Sequence, residues 1–252
     1  MDKDDTSLIV PQDVLAAFGL LTRLPVRLDT DAAVARGATA AWAYPLVGAG
    51  LGVCAILLAA VCGAAGLPPT ITAGLVLAFG IVVTGAMHED GLADSADGLW
   101  GGWDKARRLE IMKDSHIGVY GVCAVGLSLL LRWSALAAIV EAEAWWTLVA
   151  VGAISRAAMV AVMATLPNAR GAGLSQSVGR PAANTMWIAV GIAALLAVVT
   201  AEPAALVLAV VATVVCALIA KAKIGGQTGD ILGATQQVTE VTVLVAVVVG
   251  LA

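Results

Sequence analysis

Seven stretches of the chain run almost unbroken through Ala, Val, Leu, Ile and Gly, each bounded by a polar or Gly- and Pro-containing connection. They cover about 40–63, 69–87, 117–140, 144–166, 185–201, 203–220 and 238–252. A helix rises about 1.5 Å per residue, so crossing ~30 Å of hydrocarbon takes about 20 apolar residues. The first four stretches meet that length. The fifth and sixth are short enough for a helical hairpin, and the last is shorter still. The pattern predicts an all-α, polytopic membrane helical bundle with six to seven transmembrane helices. Ahead of them, Val14 to Leu24 is weakly amphipathic and is expected to lie along the membrane surface until Pro25 ends it. No repeat or linker breaks the pattern. The chain reads as a single membrane domain over 1–252, with an N-terminal segment at 1–36 and polar loops at 88–116 and 221–237.

Composition agrees. The 252 residues are 60% hydrophobic and 13% charged, with a mean hydropathy of +0.95, which excludes an ordinary soluble domain and leaves no basic surface for nucleic acid. Membrane lipid is the expected surrounding. The acidic stretch Met1–Asp5 lacks the basic region and cleavage site of a signal peptide. Cys54, Cys62, Cys123 and Cys216 stand singly in apolar runs, so they are expected to be buried packing residues and not disulfides or metal ligands. Trp145, Trp146 and Trp187 sit near span ends as interface anchors.

The distribution of charge says more than the net −4. Lys and Arg fall before the first span, between the second and third, between the fourth and fifth, and between the sixth and seventh. The alternate connections, 63–68, 141–144 and 201–203, hold none. The positive-inside rule then places the N-terminus and every polar loop in the cytoplasm. All candidate chemical residues are expected to converge on that face.

The densest chemistry lies in the stretch His88 to Gly98, HEDGLADSADG. Asp90, Asp94 and Asp97 follow one another at i, i+4 and i+7, which on a helix brings them within roughly 60° of one another. No cation stands four residues away to neutralise them, and three anions on one stripe repel. Oxygen-only ligands suit a hard cation, and Mg²⁺ is the usual choice where phosphate is also bound. Glu89 projects about 100° off the stripe, and Glu89→Leu is expected to be nearly silent. His88 points farther away still, and is a general-base candidate only from a loop ahead of the helix. Downstream come Arg107, Arg108 and Lys113, which suit phosphate oxygens, although positive-inside topology alone also explains them. A second motif, Gly225 to Gly233 (GGQTGDILG), combines glycines that allow close backbone approach with one acid, Asp230, and with Gln227 and Thr228. Arg156 lies mid-span, where a cation faces a cavity or a counter-ion, and is a candidate for a substrate phosphate or an Asp. Arg170, beside glycines, is a further phosphate-binding candidate. Arg132 is expected to be structural, snorkelling or paired with Glu141.

Together these residues resemble the cobalamin synthase family, the adenosylcobinamide-GDP ribazoletransferases. The match runs from Leu20–Val26 through Arg36-Gly37, Tyr44–Gly48, the His88–Gly98 block, Leu109–Ser115 and Ser155-Arg156 to Gly225–Gly233 and Glu240. Three positions depart from the family's usual residues: Glu89 for an apolar residue, Lys113 for Arg, and His116 for Arg. The resemblance implies joining a GDP-activated corrinoid to α-ribazole or its 5′-phosphate, with release of GMP and a need for Mg²⁺, in a bacterial cytoplasmic membrane. It implies metal ligation by Asp90, Asp94, Asp97 and Asp230. Charge balance would come from Arg107, Arg108, Lys113 and Arg156, with Arg170, Gly226, Gln227 and Thr228 also binding substrate. Asp114, His88 or Asp97 would act as the catalytic base in the 88–116 loop. Two rival readings share the acidic stripe: a CDP-alcohol phosphatidyltransferase or prenyltransferase-like membrane enzyme, and a divalent-cation transporter, which would need polar residues mid-membrane in several spans.

Overall fold

A computed structural model describes residues 7–200 and 203–251. Among them, α1 (Gln12–Leu21) and α2 (Thr30–Arg36) precede a 3-10 stretch, Gly37–Ala43, that runs into α3 (Tyr44–Ala64). Then follow α4 (Pro69–Thr84), α5 (Met87–Gly101), α6 (Lys105–Ile111), α7 (Val119–Glu141), α8 (Thr147–Thr165) and α9 (Leu174–Val178). The chain ends in α10 (Ala183–Val199), α11 (Pro203–Ile224) and α12 (Gly229–Leu251). Five helices are long and apolar enough to span, six if α4 and α5, bent by 85° at their junction, count as one; α10 is a shorter apolar helix. This is a polytopic helical membrane bundle. Each apolar stretch read from the sequence holds a helix over its described residues, 201 and 252 lying outside them, and the amphipathic stretch after residue 14 is α1, which ends at Leu21, ahead of Pro25.

Helix α8 forms the centre, the most completely buried of the spans. It meets α3 backbone to backbone: a Cβ on Gly48 would lie 1.9 Å from the Gly152 carbonyl oxygen, and one on Gly52 2.6 Å from that of Leu148. Small residues one turn apart let membrane helices gain dispersion contact where no hydrophobic drive separates them from lipid. Outward faces stay apolar, as at Leu57, Leu130, Val211 and Val249, because lipid and not water surrounds them. The cysteines show the same logic and correct the expectation made for them. Only Cys62 is buried; Cys54 and Cys123 lie exposed on the outer surface, and all four are free.

The Gly-rich loop is shorter than 221–237. Helix α11 continues to Ile224 and α12 begins at Gly229, leaving 225–228 as the turn. Polar residues that seemed to postpone the last span instead turn inward: Gln236, Gln237 and Thr239 are fully buried. Likewise 88–116 is mostly α5 and α6.

Arg132 explains those inward polar groups. Its guanidinium, buried on α7, stands 2.8 Å from Glu89 Oε1 of α5 and 2.9 Å from Glu240 Oε1 of α12, and donates to Gln237 Oε1 at 3.0 Å. Glu141 is not its partner. Gln237 also donates to Glu89 Oε1 at 3.1 Å. A buried guanidinium needs counter-charge, and removing it would leave two buried carboxylates without their shared partner.

At the N-terminus, Asp13 performs a smaller version. Both its oxygens accept from Arg36, at 2.8 Å from Nε and 2.6 Å from Nη2, and Trp42 Nε1 donates at 2.7 Å. Burial pushes the Asp13 carboxyl up, but the hydrogen bonds from Arg36 and Trp42 and the Arg36 charge outweigh it and hold the group below the usual carboxylate range.

Two predictions follow from these pairs. Arg132→Met, which strands Glu89 and Glu240, lowers stability by about 3–5 kcal/mol, read as a depressed thermal midpoint in detergent; Glu89→Leu, which leaves Arg132 its Glu240 partner, lowers the midpoint less but is not silent. Because the Asp13 pKa is depressed on folding, its contribution holds at neutral pH and is lost as pH falls below about 4. Protease cleavage of the α1–α2 segment is therefore expected to accelerate there in the intact protein, and to be already fast in Asp13→Asn at pH 7.

Candidate active site

The acidic stripe owes its position to the corner between α4 and α5. Gly85 (φ 64°) and Ala86 (φ 56°) both adopt the left-handed conformation, and the Ala86 amide still reaches the Ile81 carbonyl at 2.8 Å. Glycine takes this shape freely; alanine holds it at a cost of about 1–2 kcal/mol. The turned α5 then crosses the start of α12 with almost nothing between them. A Cβ on Gly91 would lie 2.8 Å from the Asp230 carbonyl oxygen, and one on Gly233 3.3 Å from the Gly91 Cα. This contact sets Asp90 and Asp94 against Asp230, and all three act on one another electrostatically. Among the described residues Asp90 and Asp94 accept no side-chain hydrogen bond from the protein.

Opposite them stands Arg170, whose Nη1 lies 2.9 Å from Asp230 Oδ2. Thr228 Oγ1 donates to the same oxygen at 3.1 Å. The Gly-rich turn is held by the loop that follows α8. Gln227 donates its amide N–H to the Pro167 carbonyl, Ala169 donates to the Gln227 carbonyl, and both bonds are 2.8 Å long. A Cβ on Gly226 would come within 2.2 Å of Pro167 O, so only glycine permits the clasp. The side chains of Gln227, Asn168 and Ser175 close it by hydrogen-bonding one another. Between this clasp and α5 lies a cavity of about 260 Å³ that includes Asp90, Asp230 and Arg170 on its wall, with Tyr44, Met159 and Met163 as its apolar side.

Several residues expected at the site lie elsewhere. Asp97 turns away from its neighbours on the stripe and accepts the amide N–H groups of Gly118 at 2.7 Å and Gly121 at 2.9 Å, so its carboxylate serves the N-terminus of α7. Arg108 spends its guanidinium on the carbonyls of Gly102, Lys223 and Trp103. Arg107 pairs with Glu110 at 2.8 Å on the surface, and Lys113 is exposed. Asp114 bonds its exposed neighbour His116 at 2.7 Å, and that contact holds its carboxyl below the usual carboxylate range, which makes it a weaker base.

His88 and Arg156 are brought together, but in a second cavity of about 90 Å³ inside the bundle, beside Glu89, Arg132, Gln236 and Glu240. His88 is in the helix and buried, not in a loop ahead of it. Arg156 Nη1 donates to the Gly152 carbonyl at 3.2 Å, and its charge is met by Glu240 and Glu89 instead of the Asp stripe. Sequence reading missed Asn168 and Ser175, and named Glu240 without its partner Arg132; a signal was there, since a buried arginine requires counter-charge and few acids were available to give it.

Among the described residues no three acids, histidines or cysteines close on one point as a metal cage. The donors nonetheless fit a hydrated Mg²⁺. That ion keeps several waters and is held by one or two carboxylates together with substrate phosphates. Asp90 and Asp94, open and crowded by like charge, match that demand, while Asp230 is shared with Arg170. Both oxygens of Asp97 already accept backbone amides, which leaves them less free for an ion. The arrangement pairs uncompensated carboxylates with one guanidinium across a small cavity, which suits a phosphorylated ligand carrying a divalent cation.

Comparison with known proteins identifies the family. Residues 13–248 match the model of the cobalamin-5-phosphate synthase family. Adenosylcobinamide-GDP ribazoletransferase of Bradyrhizobium diazoefficiens is 44% identical over 239 residues, 92% of this chain and 91% of the relative. Its namesakes in Azorhizobium caulinodans and Sinorhizobium medicae are 38% and 41% identical, covering 94% and 92% of this chain and 96% and 94% of their own. No solved structure matches the chain. By the extent of these matches, the chain belongs to the cobalamin-5-phosphate synthase family, and with it to the transferases of cobalamin synthesis.

Proposed function

We propose that the protein joins a GDP-activated cobinamide to α-ribazole or its 5′-phosphate, releasing GMP, at the acidic cavity on the cytoplasmic face of a bacterial cytoplasmic membrane. The observation that carries this reading is the meeting of Asp90 with the Asp230–Arg170 pair in one cavity, with Asp94 electrostatically coupled to all three. A ribose hydroxyl attacks the phosphorus on the cobinamide side of the diphosphate. The bond from that phosphorus to the bridging oxygen breaks, and GMP leaves with the oxygen. In such a transfer the protein contributes mainly position and charge.

When bound, Mg²⁺ would neutralise the diphosphate and its leaving oxygen, held by Asp90 and Asp94 with Asp230 at its edge. Arg170 is placed to meet phosphate oxygens without leaving Asp230. Of the stripe's three carboxylates, Asp90 and Asp94, which accept no hydrogen bond from the described residues, are the ones open to take the hydroxyl proton, directly or through water. The clasp of Gln227, Asn168 and Ser175 positions the Gly-rich turn and does not itself offer free donors. Arg107 and Lys113, exposed at the same loop, contribute to attracting anionic substrates more than to holding them.

A phosphatidyltransferase or prenyltransferase would use the same acids, and the family match favours ribazole transfer over either. A transporter would need a continuous polar path. The mid-bundle ionisable groups instead neutralise one another around Arg132 and Arg156, two cations that repel a cationic cargo.

Purified protein in lipid, given GDP-activated cobinamide, α-ribazole and Mg²⁺, is expected to yield cobalamin and GMP by mass spectrometry. No product from well-folded protein overturns the reading. Asp94→Asn is expected to lower kcat by about 10²-fold or more without changing the thermal midpoint, whereas Asp97→Asn is expected to act through stability, lowering that midpoint as the α7 N-terminus loses its acceptor. Normal turnover in Asp94→Asn removes the metal-stripe mechanism.

A further inference from the structure

The acidic cavity has a neighbour. Between α1, α2 and α9 lies a third hollow, of about 400 Å³, and four side chains, Leu20, Tyr44, Leu174 and Val178, wall both it and the acidic cavity. No charged residue lines it, and its polar groups are three hydroxyls, of Thr30, Tyr44 and Ser177. One of these is already engaged, Ser177 Oγ donating to the Leu174 carbonyl at 2.8 Å. The remaining surface is small and aliphatic, from residues such as Ala16, Leu28 and Ala33.

Its walls are fixed. The Arg36–Asp13 pair fastens α2 to α1. Gly37, at φ 46°, lets the end of α9 press in: a Cβ there would stand 2.7 Å from the Val178 carbonyl oxygen. A hollow whose sides are held to one another is largely preformed, as small-molecule sites usually are.

We propose that this hollow seats the heteroaromatic base of the riboside substrate. The inference rests on the reading of the acidic cavity as the place of transfer. That reaction brings three large groups to the protein. Guanine would leave its many donors and acceptors unpaired among aliphatic walls, at a cost for each. A corrin ring with its amide arms is too large and too polar. A flat two-ring base with an apolar edge matches both volume and lining, and gains from burial in proportion to its area. With the base seated there, the ribose lies over the shared wall of Leu20 and Tyr44, and its hydroxyl faces Asp90 and Asp230.

The test fills the hollow from two sides. Ala33→Phe and Ala16→Leu replace small, half-buried residues on different helices. Binding of α-ribazole and of GMP to the intact protein in nanodiscs is measured by calorimetry with no corrinoid present, alongside thermal midpoints. Both variants are expected to weaken α-ribazole by about tenfold or more, to leave GMP unchanged, and to weaken imidazole riboside, with its single ring, much less. Unchanged α-ribazole affinity in folded variants overturns the assignment. So does an equal loss for GMP, or a co-purifying lipid that Ala33→Phe expels while α-ribazole still binds. If the wild-type protein turns over but these variants bind α-ribazole as it does, the base site falls and the transferase reading stands; if turnover fails, both fall.

Discussion

Arg132 is the constraint on which the rest of the molecule depends. A guanidinium inside a membrane bundle has no water to retreat to, so the chain supplies carboxylates from two other helices, Glu89 on α5 and Glu240 on α12. One ion therefore ties α5, α7 and α12 at a single depth. Glu89 is followed directly by Asp90, and Asp230 lies on the same helix as Glu240. Satisfying the buried charge thus also decides which faces of α5 and α12 meet, and hence where Asp90 and Asp230 end up.

The apolar architecture was legible because lipid imposes a length on every span, and that length can be counted. The acidic stripe was legible for a similar reason: i, i+4 and i+7 spacing holds wherever a helix forms. Less was visible where one residue type serves two purposes. Asp97 shares the stripe's spacing with Asp90 and Asp94, but its oxygens go to the amides of Gly118 and Gly121. Only the path of α7 decides that. Arg108 likewise reads as a phosphate ligand until the carbonyls that end α5 and α11 are seen to claim it. Exposure of Cys54 and Cys123 reflects the inverted meaning of an outer surface in lipid, where apolar residues face both ways.

Glu89 is the most instructive case. Its angle from the stripe separates it from Asp90 and Asp94. The same angle turns it toward the bundle interior, so a residue that departs from the family's usual apolar one carries a buried ion pair. Glu240 already faces Arg132, and two carboxylates on one guanidinium bring an extra negative charge that Arg156, met by both, helps to balance. His88, Arg156 and the glutamines around them form a polar interior distinct from the acidic cavity, with room for buried water.

Where Gly91 rests on Gly233, main chain touches main chain. Side chains can swing between rotamers to make room; peptide groups in helices cannot. The distance between the facing acids is thus a gauge set once, when the chain folds, and a substrate arriving there must conform to it. Adjustability belongs instead to the long side chain of Arg170 and to the waters an ion carries in.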